Sequence, residues 1–257
     1  MALAGTPQRL EATAVGRGGD ARPFDRRSTT GAVTAIEVAG VTLQALAEGA
    51  LWWAEERLLV VADLHLEKAS SFARRGQFLP PYDTGVTLAA LGCLIAALQP
   101  RVVVALGDSF HDDDGAVRLG AADKTTLAAL QSGREWIWIA GNHDRVAPAG
   151  LRGASVADLA LGPLVFRHEP RPHASPGEIA GHLHPAARVS SPLGSVRRRC
   201  FIGDGTRLVL PAFGALAGGL NVRHRAFASL FRSDCLRVWL MGADRLYPVR
   251  TAALRPD

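Results

Sequence analysis

The chain has 257 residues, 48% of them hydrophobic and 21% charged, enough to bury the core of one large domain. No apolar run approaches the roughly 18 residues of a membrane span, and no apolar segment suited to secretion follows Arg9 or Arg17, which argues against a membrane protein. The net charge of +5 points only weakly to nucleic acid: among 29 basic residues lysine occurs only at Lys68 and Lys124, an arginine skew that a GC-rich coding bias explains as well as phosphate binding does.

Residues 1–35 are rich in Gly, Arg, Thr and Ala without a helical or strand period and read as a flexible leader, with residues 36–257 as the folded domain. From Ile36 the short apolar runs "AIEVAG", "VTLQAL", "ALWWAEE" and "RLLVVADLHL" predict strands joined by tight turns. Apolar residues at three- and four-residue steps predict a packed helix from Tyr82 to Leu98. "RVVVALGD" then reads as a strand, "AADKTTLAALQSG" as a helix with a glycine stop, and "EWIWIAGNHD" as a strand. This alternation argues for parallel pairing with helices on the sheet, with Trp52, Trp53, Trp136 and Trp138 as core or sheet-face residues.

Beyond about residue 156 short strands are spaced by Gly, Pro and Asp turns, the texture of an antiparallel half, and "NVRHRAFASLF" suggests one more helix. Two packed sheets with outer helices accommodate both halves. Cys93, Cys200 and Cys235 are odd in number and lack CxxC spacing; they read as small buried residues in a reducing cytoplasm.

The chemistry lies where the apolar runs stop. "LLVVAD" ends at Asp63, "VVVALGD" at Asp108, "WIWIAGNHD" at Asn142 and His143, "PLVFRH" at His168 and "EIAGH" at His182. In α/β sheets ligands gather beyond the carboxyl ends of strands, so all five tips can converge. The i, i+2 pairs Asp63/His65 and His182/His184 each face one side of an extended chain. Asp, Asn and His without thiolate suit Mn²⁺, Fe or Zn²⁺, and seven candidates exceed the need of one ion; two divalent ions with Asp108 as the bridge fit the count.

"DLH" at 63–65, "GD" at 107–108, "GNHD" at 141–144, His168 and "GHLH" at 181–184 resemble, in order, the signature of the calcineurin-like metallophosphoesterases. The resemblance implies a four-layer α/β/β/α sandwich of two mixed sheets. It also implies one metal on Asp63, His65, Asp108 and His184 and a second on Asp108, Asn142, His168 and His182. A narrower likeness, carried by "ADLHLEKASSFARRGQFLPPYDT", "LGDSFHDDDG", "IWIAGNHD", "GEIAGHLHP" and "RLVLPAFGALAGGLNV", is to the bacterial ligase-associated DNA damage response endonucleases. That likeness implies DNA as substrate and a functional association with a DNA ligase and helicase in repair.

Two divalent ions, Mn²⁺ foremost with Fe, Zn²⁺ or Mg²⁺ as alternatives, activate a shared hydroxide for phosphodiester hydrolysis. His143 then serves as general acid or charge stabiliser, with Asp144 orienting its imidazole. His111 and Asp112 either shape substrate access near the second metal or form a solvated acidic turn. Arg74 and Arg75, and the run Arg197–Arg199, either contact a phosphate backbone or are solvated. Phe72, Phe78 and Tyr82 either stack on bases or pack a loop against the helix. His173 and His224 read as structural or exposed. Against the nuclease stand a small-molecule phosphatase or pyrophosphatase, with a nucleotide or lipid-linked substrate, and a catalytically silent scaffold, which would be free to lose several of the seven ligands.

Overall fold

The computed structural model describes residues 8–9, 33–144, 150–191 and 194–257. The first sheet begins with β2 (Thr34–Val38), β3 (Val41–Ala45), β4 (Leu51–Trp53) and β5 (Leu58–Val61), an antiparallel meander. It continues with β6 (Val102–Leu106), β7 (Glu135–Ile139) and β8 (Ala154–Val156), all parallel to β5. Helices α1 (Lys68–Ala73), α2 (Asp83–Leu98), α3 (Gly115–Arg118) and α4 (Ala121–Gln131) occupy the crossovers. β5 and β6 are buried on both faces, which explains their unbroken apolar runs.

The second sheet contains β1 (Gln8–Arg9), β9 (Asp158–Leu161), β10 (Leu164–Arg167), β11 (Glu178–Ala180), β12 (Pro185–Ser191), β13 (Gly194–Gly203), β14 (Arg207–Val209), β15 (Leu220–Asn221), β16 (Arg237–Met241), β17 (Leu246–Val249) and β18 (Leu254–Arg255). The expected antiparallel texture holds from β9 to β10 and among β12, β13, β14, β16, β17 and β18; β10, β11 and β14 instead run parallel at the centre, and the edge pairs β1–β9 and β12–β15 are parallel too. Of the expected leader, residues 1–7 and 10–32 lie outside the described residues, and β2 already starts at Thr34.

Three apolar layers hold the sandwich. Between the sheets, Val60, Val104, Leu106 and Ile139 pack against Phe166, Ile179, Phe201 and Leu208. On the outer face of the first sheet, Val61, Val103 and Trp138 pack against Leu88, Leu91 and Leu94 of α2 and Leu127 of α4. At about 1.5–3 kcal/mol per fully buried large apolar side chain, these layers dominate the folding free energy. The outer face of the second sheet is covered more thinly. The stretch expected to be a further helix forms only a 3-10 turn, Arg225–Phe227, whose Phe227 joins Val222 and Leu254 over Ala187, Cys200 and Val238. Cys93 is exposed, against the expectation of burial, and Cys200 is buried. No described helix is long and apolar enough to cross a membrane.

Candidate metal centre

Five strand ends build the site. β5 stops at Val61, two residues before Asp63; β6 stops at Leu106, just before Gly107 and Asp108; β7 stops at Ile139, ahead of Gly141 and Asn142. From the second sheet, β10 is followed at once by His168, and β11 by Gly181, His182 and His184. The glycines beside the ligand candidates are steric necessities. A Cβ at Gly107 would lie 2.5 Å from the His168 ring, one at Gly141 2.1 Å from the Asp108 amide nitrogen, and one at Gly181 2.6 Å from Asp63 Oδ2. Asp63, His65, Asp108, His182 and His184 all adopt left-handed φ values between 43° and 67°. Each such residue costs on the order of 1–3 kcal/mol, and strain of this kind clusters at functional sites.

The donors form two groups. Asp63, His65, Asp108 and His184 each offer an atom within 4.8 Å of the others, and Asp108, His168 and His182 form a second such set, so Asp108 belongs to both. His65 Nε2 faces His184 Nε2 at 3.2 Å, and His182 Nδ1 faces His168 Nε2 at 3.1 Å. The Asn142 amide adjoins the second set, 3.3 Å from His182 Nδ1.

This arrangement fits divalent cations. Carboxylate and imidazole donors of this kind suit hard to borderline metals. His168 donates Nδ1–H to the Leu106 carbonyl at 3.0 Å, which leaves Nε2 facing the cluster. His65 likewise presents Nε2 to the cluster, 3.9 Å from Asp108 Oδ2.

The charges are set to match. Burial, helped by the neighbouring His184, lowers the His65 pKa to about 3, and burial with His168 also lowers that of His182, so both rings favour the neutral form that could accept a cation. For His168 burial acts downward too, but the Asp108 hydrogen bond and the charges of Asp63 and Asp108 outweigh it and push the ring up to about 9. Burial would raise the Asp108 carboxyl; the His168 ring and the His143 backbone amide instead hold it well below the usual carboxylate range.

The calcineurin-like phosphoesterase family matches residues 56–211, the segment that carries every one of these donors. The chain belongs to this family. The crystal structure of the Pseudomonas putida nuclease MPE is similar at 31% identity, with a TM-score of 0.66 over 85% of this chain and 100% of that one. Yfce, a phosphoesterase from E. coli, aligns at 15% identity with a TM-score of 0.37, over 77% of this chain and 99% of its own. Comparison with curated proteins found no match. The protein is a metal-dependent phosphoesterase with a divalent metal centre.

Around this phosphoesterase centre the remaining candidates separate. His143 stands at the mouth with its side chain 48% exposed, its ring stacked on His111 at 5.4 Å and edge-on to His65 at 5.5 Å. Its amide and that of Asn142 both donate to Asp108 Oδ1, at 3.0 and 2.8 Å. Asp144 departs from its expected role of orienting the His143 ring. It points back under the chain, where Oδ2 accepts from the Ser109 and Phe110 amides and Oδ1 from that of Gly141. Burial first, with the Asp108 charge, pushes this carboxyl up to about 7 against those hydrogen bonds.

His111 reaches the centre, but beside His65 of the first donor set and not near the second as expected. Asp112 is engaged by Arg118 at 2.7 and 2.9 Å and stays out of the site. Arg74 and Arg75 lie exposed at the outer end of α1, where Arg74 pairs with Asp114 at 3.1 Å. The loop-packing expectation fails for Phe78 and Tyr82, which are 86% and 71% exposed, while Phe72 does pack, against the His111 ring. Lys68 escaped the sequence reading: its Nζ stands 5.8 Å over the Phe72 ring. Its signal was there, one of two lysines in the chain, three residues past His65.

Proposed function

We propose that this phosphoesterase is a phosphodiesterase that cuts nucleic acid internally, DNA foremost, with Mn²⁺ as its ion and repair as its setting. The observation that carries the proposal is the double donor set sharing Asp108, open to solvent at Asn142 and His143, which leaves room for a chain to cross the mouth. Similarity to a nuclease over that protein's whole length supports it.

Asp63, His65, Asp108 and His184 would hold one cation, and Asp108, Asn142, His168 and His182 the other. When bound, such a pair supplies Lewis acidity to the phosphoryl oxygens and acidifies a water into a nucleophile. His143 holds a proton at its ring nitrogen and passes it to the leaving oxygen. The two backbone amides on Asp108 couple the position of that ring to the shared carboxylate, and His111, stacked behind it, limits its rotation. Asp144 holds the β6 and β7 loops in register, so Gly141 can approach Asp108 closely.

The test is hydrolysis by Mn²⁺-loaded protein of bis-p-nitrophenyl phosphate, the corresponding monoester, and linear and circular single-stranded DNA. Cleavage of the diester and the circle, lost in Asp108→Asn, supports an endonuclease. Activity confined to monoesters or dinucleotides refutes it and leaves the small-molecule phosphatase.

A further inference from the structure

The charge asymmetry is sharper locally than over the whole chain. Between Glu178 and Asp234 the only carboxylate is Asp204, against eight arginines. The strand register places four of the molecule's arginines on one face. Along β13, alternate residues share a face, so Arg197 and Arg199 lie on the side of Phe201, which belongs to the core between the sheets. β13 is buried from Cys200 to Gly203 and exposed from Gly194 to Arg198. Its outer half therefore projects beyond the first sheet, and its inner face carries arginine where the buried half carries Phe201.

Arg197 lies directly opposite Arg188 of β12, and Arg188 directly opposite Arg255 of β18. Like charges so placed repel and destabilise a sheet. Internal neutralisation is slight. Arg197 pairs with Asp257 at 2.8 Å, whereas Arg188 bonds the Ser195 hydroxyl at 3.0 Å and Arg255 the Ala252 carbonyl at 2.9 Å. Arg199 spends its guanidinium on the carbonyls of Ala212, Gly214 and Ala217, and Lys68 Nζ takes that of Leu216 in the same loop. Asp257 is the only carboxylate paired with any of these five cations among the described residues. The row is continuous with the metal centre, from Lys68 over Phe72, to His111 against Phe72, to His143 stacked on His111.

We infer that the inner face of the projecting β12–β13–β18 sheet, Arg197, Arg188 and Arg255 with Lys68 and Arg199 at its root, is the track for the sugar–phosphate backbone of a single strand whose scissile phosphate lies at the metal centre. This rests on the nucleic-acid reading above. A polyanion with successive charges matches cations stepped roughly 5 Å apart across neighbouring strands, and only a substrate strand also has reason to continue to His143.

The test is fluorescence anisotropy of a labelled phosphorothioate single strand on the Mn²⁺-loaded protein across a salt series. Arg188→Gln/Arg255→Gln keeps a polar N–H donor at each position, on a shorter side chain, while removing two charges. The slope of log affinity against log salt should become shallower by about 1.4, two contacts at roughly 0.7 each, with weaker binding at low salt. Arg245→Ala, on the β16–β17 turn where Arg245 faces Asp244, should leave the slope unchanged. A double variant with the wild-type slope and affinity overturns the track, as does binding of anionic phosphatidylserine vesicles in place of the oligonucleotide. Cleavage of unmodified DNA, scored separately, tests the nuclease reading, because the salt slope requires no turnover.

Discussion

The two sheets contribute unlike chemistry to one centre. The first brings both carboxylates, Asp63 and Asp108, with the Asn142 amide; the second brings three of the four clustered imidazoles, His168, His182 and His184. The carboxylates are fixed by backbone: the His182 amide donates to Asp63 across the sheet interface at 3.0 Å, and two amides of the β7 loop donate to Asp108. The imidazoles in turn lean on those carboxylates, His184 on Asp63 and His168 on Asp108, each at 3.3 Å. Neither sheet holds a site alone, so the centre forms only as the sandwich closes and metal binding is linked to sheet packing.

The substitution that should break this arrangement most completely is Asp108→Asn, because Asp108 serves both donor sets. Turnover of a diester should fall to background and both ions should be lost on dialysis, read by elemental analysis. Retention of one ion per chain would mean that the two sets are independent. His143→Ala should act differently. The ring lies at the mouth and belongs to neither donor set, so the rate should fall by about 10²–10⁴ with metal content unchanged if it is the general acid. Loss of metal in that variant would move His143 into the ligand sphere.

The same contrast governs what the sequence could reveal. The first-sheet donors were legible because each follows an apolar strand run and, at Asp108 and Asn142, a glycine that close packing requires. The second-sheet donors were legible by order, yet the sheet around them was not, because β10 and β11 pair in parallel across a Pro- and Gly-containing loop and β11 meets β14 only past the β12–β13 hairpin. Asp144 was misread because adjacency to His143 suggests a shared task, whereas its side chain turns to the β6 loop. His111 and Lys68 carry no local pattern; their place depends on α1 and the loop after β6 folding over the same edge, which only the tertiary structure brings about.

A smaller effect separates the two sheets' glycines. In Gly141→Ala the added methyl meets the Asp108 backbone nitrogen at 2.1 Å, which only a shift of the chain can relieve; in Gly181→Ala the nearest atom belongs to the Asp63 carboxylate, at 2.6 Å. Overpacking of this kind costs about 1–3 kcal/mol, so Gly141→Ala should lose more stability to urea than Gly181→Ala. Both should bind metal more weakly, since each displaces a ligand. Equal losses would mean that the β7 loop yields as readily as a side chain.

The subtlest expectation concerns protons. In the metal-free protein the contact between His168 and Asp108 raises one group and lowers the other. The raised histidine contributes stability that is full below its ordinary 6.5 and fades as pH climbs towards about 9. The depressed carboxyl contributes stability that is full above its ordinary 3.8 and fades on acidification. A cation at His168 Nε2 must displace the ring proton, whereas His65 and His182 are already neutral. Metal binding near neutral pH should therefore release about one proton from the imidazoles, seen by calorimetry in two buffers of different ionisation enthalpy, and apparent affinity should rise with pH up to about 9. His168→Gln should abolish that release together with the second ion. A wild-type protein that binds metal with no proton exchange would show that His168 is neutral before the ion arrives, and the charge division between the two sheets would then be set by the cations and not by the fold.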